Sequence, residues 1–557
     1  MRAFIRAGII TFILAANFST QVIAQTPTVE PGVIEREFRE PPPPASTGAA
    51  TPVAPLIPAA PANAAEIRFQ LVDLVFEGDV SVAGVDLDQY ARALEGREVS
   101  LADIYEASAE ITRTYAERGY LLSVAIVPAQ EIEDGRAVIR ILEGYVASIE
   151  VTGDPGRARG LLERYGRKLI GVRPLTRAAL ERYLLLASDL PGLTVRGVFE
   201  RGEAGDGGVK LVLDVDRQVF NASAEANNRG SRAIGRGRGS AFVGLNGAFW
   251  GGDEVGLQLV KSFDSRELVY FHGRAASVIN AEGTKIAVSG GVTDSYPGTA
   301  LLQSLDFNSD AWSLGLEVSH PIIRSRAVNL RLITSFEARN LESRFGDILN
   351  TRDKLRVARF GAVFDAVDSF GGANQISGFL SKGVGVFDAT RESDLNKSRF
   401  DGDGSFVSFS GEAARRQPLG QSELVIAVGG QLASRQLLAA EECGYGGGAF
   451  GRGFDNYEIA GDQCVYGSAE LRHSFAPAPD FRFQPYVFYD AGVIWQRGAL
   501  LPGDKRKESG QSLGGGVRMR ISDHIAAGIE YAKPLTRDVA LEGDRDGRLF
   551  FTISAVR

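Results

Sequence analysis

Residues 446–454 read Gly446-Gly447-Gly448-Ala449-Phe450-Gly451-Arg452-Gly453-Phe454, and residues 488–492 read Phe488-Tyr489-Asp490-Ala491-Gly492. The first stretch is a glycine-dense loop carrying one cation. The second lies in a run, 485–495, that alternates with period two. Val487, Tyr489, Ala491, Val493 and Trp495 share one face; Tyr486, Phe488, Asp490, Gly492 and Ile494 share the other. A strand with one wholly apolar face and a lone carboxylate on the opposite face suits a membrane barrel, with lipid outside and a wet lumen inside. A half-buried aspartate wants a cation, and arginine offers a planar, two-pronged partner. The expectation is that Arg452 reaches down the lumen to Asp490.

The same two-sided pattern recurs through residues 218–557. Val255, Leu257 and Leu259 alternate with Gly256, Gln258 and Val260, and Leu424, Ile426 and Val428 with Val425, Ala427 and Gly429. Leu513, Val517, Met519 and Ile521 oppose Arg518 and Arg520, while Ile525, Ala527, Ile529 and Tyr531 oppose Gly528 and Glu530. An arginine costs little against lumenal water and about 2–4 kcal/mol against the lipid midplane, so the face assignment is forced. At roughly ten residues per tilted strand plus connections, the stretch suits a transmembrane β-barrel of about 16 antiparallel strands. A soluble sandwich also alternates, but needs neither this many strands nor polar residues on its inner face.

The chain has 557 residues, too many for one ordinary domain. Its 66 glycines, 2 methionines and 44% hydrophobic content fit strands and tight turns better than helical bundles. A net charge of -8 argues against nucleic acid as a partner. Residues 1–24 read as a signal peptide: Arg2 and Arg6, then an apolar core over 7–16, then Val22-Ile23-Ala24 before Gln25. That core is about half of the ~20 residues a helical span needs. Any crossing must then be made by strands, which places the chain in the outer membrane of a double-membraned bacterium.

Residues 25–66 form a Pro- and Ala-rich linker containing Pro41-Pro42-Pro43-Pro44. Within it, residues 33–40 fit two helical turns, with Ile34 over Phe38, and fit an unstructured tail equally well. Residues 67–144 have the order strand, helix, helix, strand, strand; Ser100 with Asp103 approximates a capping box, and Gly119 stops the second helix. Residues 145–217 repeat that plan, with Thr176 capping a helix that Pro191-Gly192 halts. Both are small α/β modules without a catalytic cluster. Their exposed sheet edges can take on a strand from another chain.

Phe450-Gly451-Arg452-Gly453-Phe454 resembles the Arg-Gly-Tyr/Phe loop motif of the two-partner-secretion (TpsB-type) outer-membrane transporters, the haemolysin activation/secretion protein family. Phe488-x-Asp490-x-Gly492 resembles that family's lumenal strand motif. Arg118-Gly119-Tyr120, Pro128-x-Gln130 and Leu142-Glu143-Gly144 resemble its first polypeptide-transport-associated (POTRA) domain. Phe364-Asp365-Ala366-Val367-Asp368 with Gly371-Gly372, and Gly467-x-x-Glu470-Leu471-Arg472, extend the resemblance from residue 67 to the C-terminus. The resemblance implies two periplasmic POTRA domains that bind an unfolded, haemolysin- or adhesin-like exoprotein, and a lumen that conducts it. It also implies a plug helix in the pore, and a loop latch of Gly451, Arg452, Gly453, Phe454, Phe488, Asp490 and Gly492. Within the same superfamily an outer-membrane assembly insertase is the alternative, and a passive gated porin is an alternative of another class. The chain ends Ala555-Val556-Arg557, where most such barrels end on an aromatic residue.

Cys443 and Cys464 bracket the Arg452 loop in an oxidising compartment, which predicts a disulfide worth ~3 kcal/mol by chain entropy. The arginines at 229, 232, 236 and 238 read as a solvated surface loop; contact with lipopolysaccharide or client is the rival reading. Outer-membrane lipid is the other expected partner. Four text matches are rejected. Gly446-x-Gly448-x-x-Gly451 lacks the strand–turn–helix setting of a nucleotide site, and Gly510-Gln511-Ser512-Leu513-Gly514 opens a strand rather than a nucleophile elbow. Asp401-Gly402-Asp403-Gly404 lacks the remaining oxygens of a calcium loop, and the histidines at 272, 320, 473 and 524 lack metal spacing. No cofactor, metal, nucleotide or enzymatic activity is expected.

Overall fold

The computed structural model describes residues 32, 38, 57, 59–78, 85–201, 206–263, 266–478, 481–500 and 505–557. The signal peptide, the proline run and most of the short helix expected at 33–40 lie outside the described residues. Gly32 lies against Leu341 and Ala440. Phe38 stands inside the barrel, its ring 5.2 Å from that of Tyr270 and 5.1 Å below the Arg238 guanidinium.

In the first module the central strand Arg136–Leu142 runs parallel to Asp73–Gly78 and antiparallel to Val124–Ile126. The run expected as one strand from residue 67 divides into Arg68–Gln70, which pairs with Glu98–Ser100, and Asp73–Gly78. Helix Leu101–Glu117 starts at Ser100, whose Oγ accepts from Asp103 N at 3.3 Å while Ser100 N donates to Asp103 Oδ2 at 2.7 Å, a complete capping box. Its 3.6-residue stripe of Ile104, Ile111 and Tyr115 packs on Leu71, Ile139 and Ile141, and Ser108 on the same stripe donates to Ala125 O at 2.8 Å.

The second module repeats the plan, its strand Gly208–Arg217 lying between Tyr145–Gly153 and Leu193–Arg201. The Thr176 cap on helix Arg177–Ser188 is formed. Arg177 N donates to Gly119 O at 2.7 Å and Leu175 N to Gly144 O at 2.9 Å, joining the modules through backbone. On the barrel side, Arg324 Nε and Nη2 grip the Asp189 carboxylate, both at 2.7 Å, and Arg182 donates to the carbonyls of Pro321 and Ile322 at 3.2 Å. The second module is thereby clamped to the periplasmic turns of the barrel.

Among the described residues, sixteen antiparallel strands close a barrel from Phe220–Asn227 to Arg548–Val556, where Thr552 opposite Asn227 begins the closing seam. The alternation sorts the wall as period two requires: Val487 (58% exposed), Leu513, Ile529 and Phe551 face out, while Tyr486, Phe488, Asp490, Ser512 and Glu530 are buried inside. Strands Phe307–Arg324, Val328–Phe345 and Ile348–Val367 have 18, 18 and 20 residues, well beyond the ~9–11 of a tilted crossing, so their outer ends project beyond it. On their inner face Leu341, Leu355 and Val357 pack with Phe406, Leu437 and Leu438, so the loops 384–406 and 434–462 fold over the outer mouth.

One expectation is corrected here. The loop 228–237 is only in part a solvated surface loop: Arg232 and Arg236 are exposed, but its middle is not. Ala233 and Ile234 are buried with Leu268, Leu302 and Phe307, which turns the loop inward. Arg229 meets Glu530 at 2.6 Å, Arg232 meets Glu542 at 3.3 Å, and Arg236 bonds the same Glu542. The three arginines of this loop thus find two acids, Glu530 and Glu542, that come from elements some three hundred residues away in sequence.

Candidate functional site: a lumenal latch

The loop between strands Ser422–Ala433 and Gln463–His473 begins and ends in a two-stranded ribbon. Cys443–Tyr445 pairs with Ile459–Gly461, Cys443 opposite Gly461. Cys443 is disulfide-bonded to Cys464, with Cα atoms 6.3 Å apart, so the ribbon's base is tied to the barrel wall. The tip then turns back down the lumen. Phe454 N donates to Gly451 O at 2.8 Å, and Gly446 N to Phe450 O at 3.1 Å.

This fold places Arg452 on Asp490. Its Nε donates to Oδ2 at 3.1 Å and its Nη2 to Oδ1 at 2.9 Å, the two-pronged geometry a guanidinium favours. The loop backbone joins in: Gly451 N and Arg452 N donate to Oδ2 at 3.1 and 3.0 Å. Asp490 is fully buried and Arg452 is 4% exposed. Register explains the remaining partners. Ser468, Asp490 and Ser512 stand side by side on three adjacent strands, and Glu470, Phe488 and Gly514 form the next row. Arg452 Nη2 donates to Ser468 Oγ at 2.9 Å and Nη1 to Glu470 Oε2 at 2.5 Å; Ser512 Oγ reaches Asp490 at 3.4 Å. The guanidinium carbon lies 3.5 Å from the centroid of the Phe488 ring, a cation–π contact.

Glu470 carries the network further. Arg518 donates to it at 2.6 and 3.1 Å and stacks 3.9 Å from the Tyr486 ring, whose hydroxyl donates to Glu530 at 2.7 Å. Arg452 and Arg518 against Asp490 and Glu470 make a neutral four-member set in which every member has partners of opposite sign. That is the condition under which buried charge is tolerated. A second hold comes from the last strand: Arg548 Nη2 donates to Asp455 Oδ1 at 2.6 Å.

The expected site residues fall as follows. Arg452, Asp490, Gly451 and Phe488 meet in one cluster. Gly453 runs against the backbone of Lys533 and Pro534, where a Cβ would come within 2.9 Å of Pro534 N. Gly492, with Gly510, leaves the space that the buried Tyr445 ring fills. Phe454, expected as part of the latch, packs on Tyr445 at 5.9 Å, in a core with Ile459 and Ile494. It anchors the loop's base rather than the charges. Glu470, Ser468 and Tyr445 were not assigned roles from sequence. Glu470 was visible as an inward carboxylate within a quoted motif, but nothing local ties it to residue 452.

The match to known proteins agrees with this architecture. Residues 207–517 match the family "Haemolysin secretion/activation protein ShlB/FhaC/HecB", and residues 69–144 match "POTRA domain, ShlB-type". The heme/hemopexin transporter protein HuxB of Haemophilus influenzae is 24% identical over 485 residues, covering 85% of each chain. In fold, the chain is similar to CdiB from Escherichia coli (TM-score 0.71, 18% identity, 91% of this chain and 94% of that one). It is also similar to BamA from Haemophilus ducreyi lacking POTRA domains 1–3 (TM-score 0.51, 15% identity, 88% and 100%). A sixteen-stranded barrel carrying two small α/β modules, matched over more than half its length, thus belongs to the haemolysin secretion/activation family: it is an outer-membrane transporter, its POTRA domains in the periplasm, that secretes a partner exoprotein to the cell surface.

Proposed function

We propose that the Arg452 cluster is a latch that decides whether the barrel is shut or admits its client. The observation that carries this reading is Arg452 itself: a guanidinium at the tip of a loop, buried in the lumen, bonded to Asp490, Glu470 and Ser468 on two wall strands. A loop folded into a water-filled bore loses conformational entropy, and a desolvated charge network offsets that loss only while all its members are present. The client, a large haemolysin- or adhesin-like exoprotein, arrives unfolded in the periplasm. It adds as a strand to an open edge of a POTRA sheet, such as Leu193–Arg201, where Val198 is exposed. It then passes through the lumen as an extended chain. The packing of Phe38 on Tyr270 supports a plug that lies in the same bore and leaves with the loop. Folding on the outside supplies direction, since the folded client has no return path.

The assembly-insertase reading rests on the fold likeness to BamA alone, while the family match spans the barrel and its first POTRA domain. The test is export of the client from a two-gene plasmid. Arg452→Ala and Asp490→Ala reduce export; wild-type export from both discards the latch. A client variant that cannot fold accumulates in the periplasm, and its normal export would remove the directional argument.

A further inference from the structure

The outside of the barrel carries a groove that neither the latch nor the transport path uses. It lies at the extracellular ends of strands Ser422–Ala433, Gln463–His473 and Arg482–Trp495 and has a volume of about 530 Å³. Its floor is mainly apolar: Leu432 and Val465 are 62% and 58% exposed, and Trp495 lies on the same outward face, with Gln463 opposite it. Its upper rim is cationic, with Arg497 and Arg506 lining it. Lys507 joins them, its Nζ 5.9 Å from the Trp495 ring centroid. Arg506 donates to the carbonyls of Gln496 at 3.2 Å and Gly498 at 3.1 Å, which holds its guanidinium at the groove's edge.

Two features set this groove apart. Among the described residues, none of these three cations has a carboxylate partner, whereas other arginines at the same end of the barrel do: Arg435 has Asp403, Arg537 has Glu508 and Arg352 has Glu342. Further, the floor belongs to the face that carries Val487 and Tyr489, so an occupant must lie in the plane of the membrane. A soluble protein or free phosphate does not reach Leu432 and Val465. Tryptophan and long cationic side chains at this level are what a membrane–water boundary selects, the stems in hydrocarbon and the charges among headgroups.

We propose that this groove binds a phosphorylated glycolipid of the outer leaflet. Its phosphate sits among Arg497, Arg506 and Lys507, its sugar lies on the Trp495 ring, and one acyl chain runs along Leu432 and Val465. The site lies on the wall strands that bear Cys464 and Asp490, so an occupant would brace the outer end of the wall that holds the latch loop.

The test uses the full-length protein purified in detergent, titrated with diphosphorylated lipid A, dephosphorylated lipid A and phosphatidylcholine, with bound lipid read by native mass spectrometry. Diphosphorylated lipid A binds the wild type in preference to the other two. The triple variant R497Q/R506Q/K507Q loses at least tenfold in that affinity, since each cation near a lipid phosphate is worth about fivefold. Trp495→Leu, which keeps the charges, loses several-fold and serves if the triple variant does not give a heat-modifiable, folded barrel. A control with Arg416→Gln and Arg482→Gln, at the periplasmic rim, leaves binding unchanged. Equal lipid A affinity in wild type and triple variant, equal affinity of the wild type for phosphorylated and dephosphorylated lipid, or an equal loss in the control each overturns the proposal.

Discussion

Asp490→Ala is the sharpest perturbation of the latch. In the native loop the carboxylate accepts from Arg452 Nε and Nη2, from the backbone N–H groups of Gly451 and Arg452, and weakly from Ser512. Its removal leaves two backbone donors without an acceptor and the Arg452 guanidinium with Glu470, Ser468 and the Phe488 ring. Breaking a buried charged pair from one side costs about 3–5 kcal/mol. The surviving partners place this case at the low end, about 3 kcal/mol, or a shift of roughly a hundredfold in the balance between seated and released loop. The disulfide and the Arg548–Asp455 bond hold the rest of the loop, so the barrel itself still folds. In a planar bilayer the variant shows a higher open probability than wild type at the same voltage and salt. In cells it exports less client, because the loop is no longer placed where entry requires it. Asp490→Asn, which keeps an acceptor but no charge, falls between the two. Conductance and export both at wild-type levels in Asp490→Ala would refute the argument from burial and charge.

Three further outcomes are expected. Alkylation and mass analysis of the denatured protein find no free thiol until reductant is added, and Cys443→Ser with Cys464→Ser, which frees the ribbon at a cost of ~3 kcal/mol by loop entropy, speeds proteolysis within residues 434–462 while the barrel remains intact. Gly492→Ala forces a Cβ into the place of the buried Tyr445 ring, so it unseats the loop without touching a charge; it reproduces the raised conductance of Asp490→Ala, and wild-type conductance would show that Tyr445 does not anchor the tip. In the first POTRA domain, donation from the Ser100 backbone, then from its hydroxyl, holds the Asp103 carboxyl below its ordinary value of 3.8. A lowered pKa means the cap stabilises above the unfolded value and is lost as pH falls through the folded one. Asp103→Ala therefore lowers hydrogen-exchange protection of the first turn of helix Leu101–Glu117 about fivefold at neutral pH, corresponding to about 1 kcal/mol, and the difference from wild type vanishes in acid.

The particular residues show why some of this was readable in the chain and some was not. The faces of the wall were readable because parity along a strand is local: once Arg518 and Arg520 must avoid lipid, Leu513 and Met519 have no choice. The capping box at Ser100 and the Thr176 cap were readable for the same reason, since the groups that satisfy a helix end lie within three residues of it. The pairing of Arg452 with Asp490 was readable as a matter of charge, and the disulfide as a matter of compartment, although both close long loops.

What escaped were the consequences of closure. Glu470 joins Arg452 because strand register sets Ser468 beside Asp490 and Glu470 beside Phe488, and register is established between strands rather than along one. Phe454 turns to Tyr445 because Gly492 and Gly510, from two wall strands, open a hole there. Arg229 points inward because Glu530 comes round to meet it only when the last strand pairs with the first. Alternation along the chain was enough to state that there is a barrel, which side of it is wet, and which two ions of opposite sign belong together. The identity of every further neighbour depended on the ring being shut, since that step brings residues hundreds of positions apart within hydrogen-bonding reach.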